Sequence, residues 1–490
     1  MVLDPSEASP GVPFGSGGKT DTDALCYLDL AAVARLIERR KVSPVEVVDA
    51  VLGRVQRLNP LLNAFITQTA ETARETALQH EKEILAGRYR GPLHGVPVSL
   101  KDLYITRGIR TTVGSKILAD WVPDRDATVW ARLHEAGAVL VGKNNLHEFA
   151  LGSTTINPHY GSTANPWDRE RIVGGSSGGS AAATAAGLGY ASMGSESGGS
   201  IRRPAAFCGV VGLKPTYGRV SRDGMLAGAW SLDHAGPLTR SVRDAALVLN
   251  AIAGHDPKDP TSSTTSWTDF TAGLEGPIAG LRVGVPNAYV VEDLDPEVQS
   301  AFWQAVVLLE QAGAVRKDVD LPSGKYASVV SNTIAFAEVA AIHRYWFRNR
   351  PQDYGDDALS SIATGMCLTA EEYLAAQRVR RSITSEANAL FQRVDAIVAP
   401  TNGIPATLMA KGSAALNDRP NEVGYHPQIM NRLASLLGLP AISVPCGYTA
   451  AGLPIGLQVI GRFFDESTVL RVAFAYEAAA DWRRRRPPIP

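Results

Sequence analysis

The sequence predicts an α/β fold: one large domain with a mixed, mostly parallel β-sheet covered by helices on both faces. Three observations carry that expectation. Short apolar runs alternate with segments of helical periodicity over most of the 490 residues, the pattern of strands joined through covering helices. Hydrophobic residues make up 45% of the chain, enough to fill a large core. No internal repeat divides it, and the Ser-, Thr-, Asp- and Pro-rich stretch from Gly254 to Gly276 reads as a loop and not as a free linker.

The elements follow in order. Met1 to Thr22 is rich in Pro, Gly and Ser and has no charged segment leading into an apolar one. Residues 1–24 therefore read as a flexible leader, not a signal peptide, and 25–490 as the domain. Ser43-Pro44 supplies an N-cap and a first-turn proline for a helix whose apolar stripe runs to Leu58. Thr67 to Leu85 predicts an outer helix, and Val96 to Asp102 a strand that ends in charge. Further strands are expected at Ala138–Val141, Leu281–Val285, Ala396–Ala399, Ala441–Val444 and Leu457–Ile460. Helical patterns lie at Ala127–Ala136, Ser180–Ala186, Ser241–Ala253, Pro296–Ala312, Ser331–Phe347, Ala370–Phe391 and Glu466–Ala480.

A formal net charge of −1 gives no basic field for nucleic acid and no acidic one for basic partners. Cys26, Cys208, Cys367 and Cys446 lie far apart and read as reduced thiols of a cytoplasmic protein. The uncharged run Ile172–Ser195 is long enough for a membrane span, but Gly, Ser, Thr and Ala dominate it, so it is expected to be buried in protein.

The chemistry concentrates between Gly174 and Pro204, where two serine-glycine clusters, Gly174–Ser180 and Ser197–Ser200, flank a small-residue segment. Two other motifs fail on chemistry. Gly137 to Asn144 nearly matches a phosphate loop, but Asn144 stands where Ser or Thr would hold magnesium. Gly174-Gly-Ser176-Ser-Gly178 satisfies the hydrolase elbow pattern, yet polar Trp167-Asp-Arg-Glu-Arg precedes it and only His426 and Asp395 offer triad partners. The nine histidines show no metal-ligand spacing, so neither metal nor cofactor is expected. A serine hydroxyl needs a base, and a lysine made neutral by burial can serve. Lys101 at the end of Val-Pro-Val-Ser-Leu fits that role; from position alone a solvated strand terminus fits as well.

Lys101 in GPLHGVPVSLKD, the run GGSSGGSAAA and the run GSESGGSIRRPAAFCGVVGLKPTYGRVS together resemble the amidase signature family of Ser-Ser-Lys hydrolases. The spacing is similar too, with 75 residues from Lys101 to Ser176 and 24 from Ser176 to Ser200. The likeness extends to Leu437–Leu457 and covers nearly everything from Leu28 onward. The resemblance implies Ser200 as nucleophile, Ser176 as bridging serine behind a cis peptide bond, and Lys101 as base. It also implies an oxyanion hole of the backbone N–H groups of Ser197, Gly198, Gly199 and Ser200, and a loop-shaping Glu196–Arg202 pair. Arg203 could equally reach a substrate carboxylate or brace the loop. Phe149, Leu151, Tyr160, Trp230 and Trp346 are candidate pocket walls.

The expected reaction is hydrolysis of a carboxamide C–N bond through an acyl-enzyme, with carbamates or aryl esters as variants on the same relay. A non-catalytic subunit is disfavoured because all three catalytic positions are present. One branch of the family is the glutaminase subunit of the tRNA-dependent amidotransferase, whose members usually carry Ser-Leu-Asp-Gln and Arg-Tyr-Asp-Gly-Val. Here the first reads Ser231-Leu-Asp-His234 and the second is missing from Ala335–Trp346. A free-standing amidase is therefore the expected form, with a small-molecule amide as its partner, no nucleic acid or membrane, and a homodimer allowed.

Overall fold

A computed structural model of the chain describes residues 22–226, 228–286, 294–412, 429–480, 482 and 485–490. The chain begins with α1 (Thr22–Cys26), α2 (Leu30–Glu38), α3 (Pro44–Leu62), β1 (Phe65–Gln68), α4 (Ala70–Leu85) and β2 (Pro97–Lys101). α5 (Thr128–Glu135), β3 (Val139–Asn144), a small hairpin of β4 (Ala164–Asn165) and β5 (Asp168–Ile172), α6 (Gly178–Ala185), β6 (Ala191–Glu196) and α7 (Arg202–Cys208) follow. Next come β7 (Val211–Lys214), β8 (His234–Thr239), α8 (Val242–Ile252), β9 (Arg282–Pro286), α9 (Pro296–Gln311) and β10 (Val315–Val319). The rest is α10 (Ala327–Asn349), α11 (Asp356–Cys367), α12 (Ala370–Leu390), β11 (Ala396–Pro400), α13 (Ile429–Leu437), β12 (Ala441–Tyr448), β13 (Pro454–Ile460) and α14 (Glu466–Ala479).

Eleven of these strands form one mixed sheet in the order β1-β3-β2-β6-β8-β7-β12-β13-β11-β9-β10. β3, β2 and β6 run parallel to one another, as do β11, β9 and β10. Helices cover the sheet, and the principal core runs from Leu25 to Trp482. A second cluster packs α10, α12 and α13 against β11 and the far end of β13. The architecture is the single large α/β domain that the alternation of runs predicts. Among the described residues no helix is long and apolar enough to cross a membrane.

Local chemistry sets the helix ends. Ser43 accepts from the Glu46 N–H while Glu46 accepts from the Ser43 N–H, a reciprocal cap that fixes the start of α3. The same box forms at Thr369 and Glu372 before α12. Where sequence and structure differ, tertiary pairing is the reason. Thr67 and Gln68 belong to β1, paired with Lys143 and Gly142, so the helix begins at Ala70. β6 was not expected at all: Ala-Ser-Met-Gly-Ser-Glu has no β-branched residue and is a strand because β2 and β8 flank it. Thr22–Ala24, placed in the leader by composition, form the first turn of α1; 1–21 lie outside the described residues.

Candidate active site

β2, β3 and β6 are adjacent and parallel, so their carboxyl ends, Lys101, Asn144 and Glu196, lie along one edge of the sheet. Open α/β sheets place ligands at such an edge. The register pairs Leu100 with Met193, which brings Ser195, two residues on, beside Lys101. Lys101 is fully buried. Its Nζ donates to Ser176 Oγ at 2.7 Å and to Ser195 Oγ at 2.9 Å. Among the described residues no carboxylate forms an ion pair with it. Burial drives its pKa well below the ordinary lysine range, and the charges of Asp233 and Glu196 oppose this only in part. Lys143 of β3 is buried as deeply but sits 3.2 Å from Asp102 Oδ1 and donates to Tyr104 O and Thr111 Oγ1. The lysine of the near phosphate loop thus braces the edge.

The two serine clusters meet at this edge. The Gly175–Ser176 peptide bond is cis, the Ser176 carbonyl accepts from the His147 N–H, and the Ser177 N–H donates to the Ser200 carbonyl. Ser177 Oγ donates to the Ser195 carbonyl and accepts from the Ser195 N–H, so strand β6 and the Ser176 turn are stitched together. Ser200 opens onto a cavity of about 300 Å³ that Ser197 and Gly198 also line. The N–H groups of Ser197, Gly198, Gly199 and Ser200 donate no hydrogen bond among the described residues. Gly199 has φ +115°, a conformation that side chains rarely adopt, and it turns the loop so that Ser197, Gly198 and Ser200 line one cavity.

Glu196 and Arg202 hold this loop from below, both fully buried. The Glu196 carboxylate accepts from the Arg202 Nη2 and Nε groups, from the Ile201 and Arg202 N–H groups and from Ser435 Oγ. Burial alone would raise the Glu196 pKa; the Arg202 charge and hydrogen bonds, with Lys214, hold it down at about 2. Asp233 is the opposite case. It lines the cavity, and burial pushes its pKa up to about 7 against the pull of Arg222 and the Ala229 N–H.

The remaining expected residues divide. Arg203 lines the cavity but donates from Nη1 to Gly175 O at 2.6 Å and from Nη2 to Gly198 O at 3.0 Å, tying the two serine turns to each other. Phe149 and Leu151 line the cavity, and Trp346 stands behind Phe149 at a ring separation of 6.0 Å. Tyr160 does not reach the cavity, contrary to expectation. Asn157 Oδ1 accepts from its N–H and Asn63 Nδ2 donates to its carbonyl, which pins that loop to the α3–β1 turn. Trp230 is also elsewhere, 56% exposed. Asp395 pairs with Arg282 and Arg462, and His426 lies outside the described residues. Ser195, Asp233 and Arg432 were missed. Ser195 sits in the quoted GSESGGS run, one residue before Glu196. The only signal for Arg432 is a single charge inside the otherwise uncharged run Ile429–Leu439.

A model of the family described as Amidase matches residues 46–470. The A subunit of the glutamyl-tRNA(Gln) amidotransferase of Moorella thermoacetica is 41% identical over 95% of this chain and 99% of its own. A solved structure of the protein of that name from Thermotoga maritima is 36% identical with TM-score 0.79, over 92% of this chain and 95% of its own. A chain from a vestigial protein complex bearing on the origins of an s-triazine catabolic enzyme is 34% identical with TM-score 0.87, over 94% of this chain and 100% of its own. These matches overturn the expectation of a free-standing enzyme whose partner is a small molecule alone, because relatives matched end to end are named as one part of a multi-subunit amidotransferase for a tRNA. The expectation had leaned on His234 and on the run missing from Ala335–Trp346; His234 is buried with Nδ1 3.1 Å from the Glu196 carbonyl. The His234 departure changes a hydrogen bond beneath the site, whereas Ala335, Phe336 and Val339 of the second segment line the cavity itself.

Proposed function

The chain belongs to the amidase family, and on that basis we propose that it is the amide-hydrolysing subunit of an amidotransferase, releasing ammonia from glutamine through an acyl-enzyme on Ser200. Neutral Lys101 takes a proton from Ser176 as Ser176 takes one from Ser200, and Ser200 Oγ attacks the carboxamide carbon. The developing oxyanion meets the unused N–H groups of Ser197, Gly198, Gly199 and Ser200; a single donor of this kind is worth about 10²–10³ in rate. As the tetrahedral intermediate collapses, the C–N bond breaks and Ser176 passes a proton to the departing nitrogen. Water, deprotonated by the same relay, then attacks the ester and frees Ser200.

The observation that carries this reading is Lys101: fully buried, without an ionic partner among the described residues, and bonded to Ser176 beside a cavity lined by Ser200. Full-length similarity to the amidotransferase subunits supports the assembly and the glutamine donor. The test is ammonia release from L-glutamine, by the chain alone and with the other amidotransferase subunits and glutamyl-tRNA(Gln). Release that rises when the partners are added and disappears in Ser200→Ala is the expected result. Equal release with and without partners refutes the subunit role, and undiminished release by Ser200→Ala refutes the mechanism.

A further inference from the structure

We infer that Arg432 anchors a carboxylate on the acyl portion of the amide substrate. This rests on the reading of the Ser200 cavity as an amide site. Arg432 projects from α13 into the wall of that cavity. Its guanidinium lies against the oxyanion loop: a Cβ added to Gly198 would stand 2.4 Å from Arg432 Nη1. Glycine at 198 therefore leaves the room that the arginine occupies.

What sets Arg432 apart is that no described residue pairs with it. Among the described residues its guanidinium makes no hydrogen bond and no ion pair, and its Nε is sealed from solvent with no partner. The neighbouring arginines are all committed: Arg202 to Glu196, Arg203 to the carbonyls of Gly175 and Gly198. Arg432 is partly buried, with its Nε sealed and Glu196 as the one opposing charge on it; holding a cation there without an ion-pair partner is costly, and the cost falls away when an anion arrives. Desolvation already holds the Arg432 pKa down at about 10. The guanidinium fork matches the two oxygens of a carboxylate. The cavity also holds Asp357, which is engaged by His147, and the unpartnered buried Oδ1 of Asn332. The Asn332 oxygen suits an ammonium group, so an amide of an acidic α-amino acid answers Arg432 and Asn332 together.

Two probes separate the carboxylate from the amide: glutaramate, which carries one, and pentanamide, which ends in a methyl group. The full-length chain is expected to favour glutaramate in kcat/KM by about a hundredfold, the scale of a desolvated charge pair. In Arg432→Leu that ratio falls to within a few-fold of one, and in Arg432→Lys it recovers in part. An unchanged ratio in Arg432→Leu, or an equal loss on both probes, overturns the inference. If wild type, alone and with the other amidotransferase subunits, hydrolyses neither probe and releases no ammonia from L-glutamine, the amide-site reading fails, and calorimetric binding of glutaramate decides the role of Arg432 separately. Binding by wild type that Arg432→Leu loses supports the anchor; no binding by wild type, or equal binding by both, refutes it.

Discussion

Lys101, the base of the proposed relay, illustrates how such a role costs stability. In the unfolded chain it is protonated below about pH 10.4; in the fold, burial holds it neutral far below that. Between the two pKa values the unfolded state binds the extra proton, so stability rises with pH across that window. Lys101→Met is therefore expected to raise the thermal midpoint at neutral pH while abolishing turnover, with unfolding followed by circular dichroism. The same group sets the pH–rate profile. kcat/KM of wild type falls as pH drops through the Lys101 pKa, and Lys101→Ala, lowest near neutrality, partly recovers at high pH where hydroxide replaces the base. Ser195 is the other partner of Lys101 Nζ. Ser195→Ala is expected to lower kcat by about tenfold, the scale of one hydrogen bond, with KM unchanged.

Among the elements, the lysine-bearing strand was readable from sequence and its neighbour β6 was not. β2 carries Val, Leu and a terminal charge, a pattern that announces a buried strand. β6 is small and polar, and only its position between β2 and β8 makes it extended. Lys101, Ser176 and Ser200 were picked out as candidates through the motifs and spacing of the family resemblance, and the structure brings Lys101 and Ser176 into contact. Ser195 and Arg432 were not, because the groups facing them come from strands and helices distant in the chain. Tyr160 shows the reverse error, an aromatic near the motifs whose loop is tied elsewhere by Asn63 and Asn157. The loop after β6 depends on Gly199, whose φ is +115° and whose added Cβ would stand 2.9 Å from Arg203 Nη2 and Asn431 Cβ. Gly199→Ala is expected to cost about 1–3 kcal/mol of stability, read by urea unfolding, along with most of the activity.

Across the whole molecule, Arg202 joins parts of the chain that are far apart in sequence. From α7 it reaches Glu196 at the end of β6, Gln458 on β13 at 2.5 Å, and the Asn431 carbonyl and Ser435 on α13. Arg202→Ala leaves the Glu196 carboxylate buried without its cation and is expected to cost about 3–5 kcal/mol; Glu196→Gln in the same chain recovers part of that loss, measured by the same unfolding transition. One buried network thus holds the loop that bears Ser200 and the helix that bears Arg432 in fixed relation, which is why site and fold are inseparable here. Everything in the mechanism turns on Ser200 carrying the acyl group, and rapid acid quench of the enzyme during glutamine turnover, followed by peptide mass spectrometry, reads that bond itself. A glutamyl ester on the peptide containing Ser200, absent from Ser200→Ala, is the expected result; an adduct on another residue, or turnover by Ser200→Ala, would contradict it.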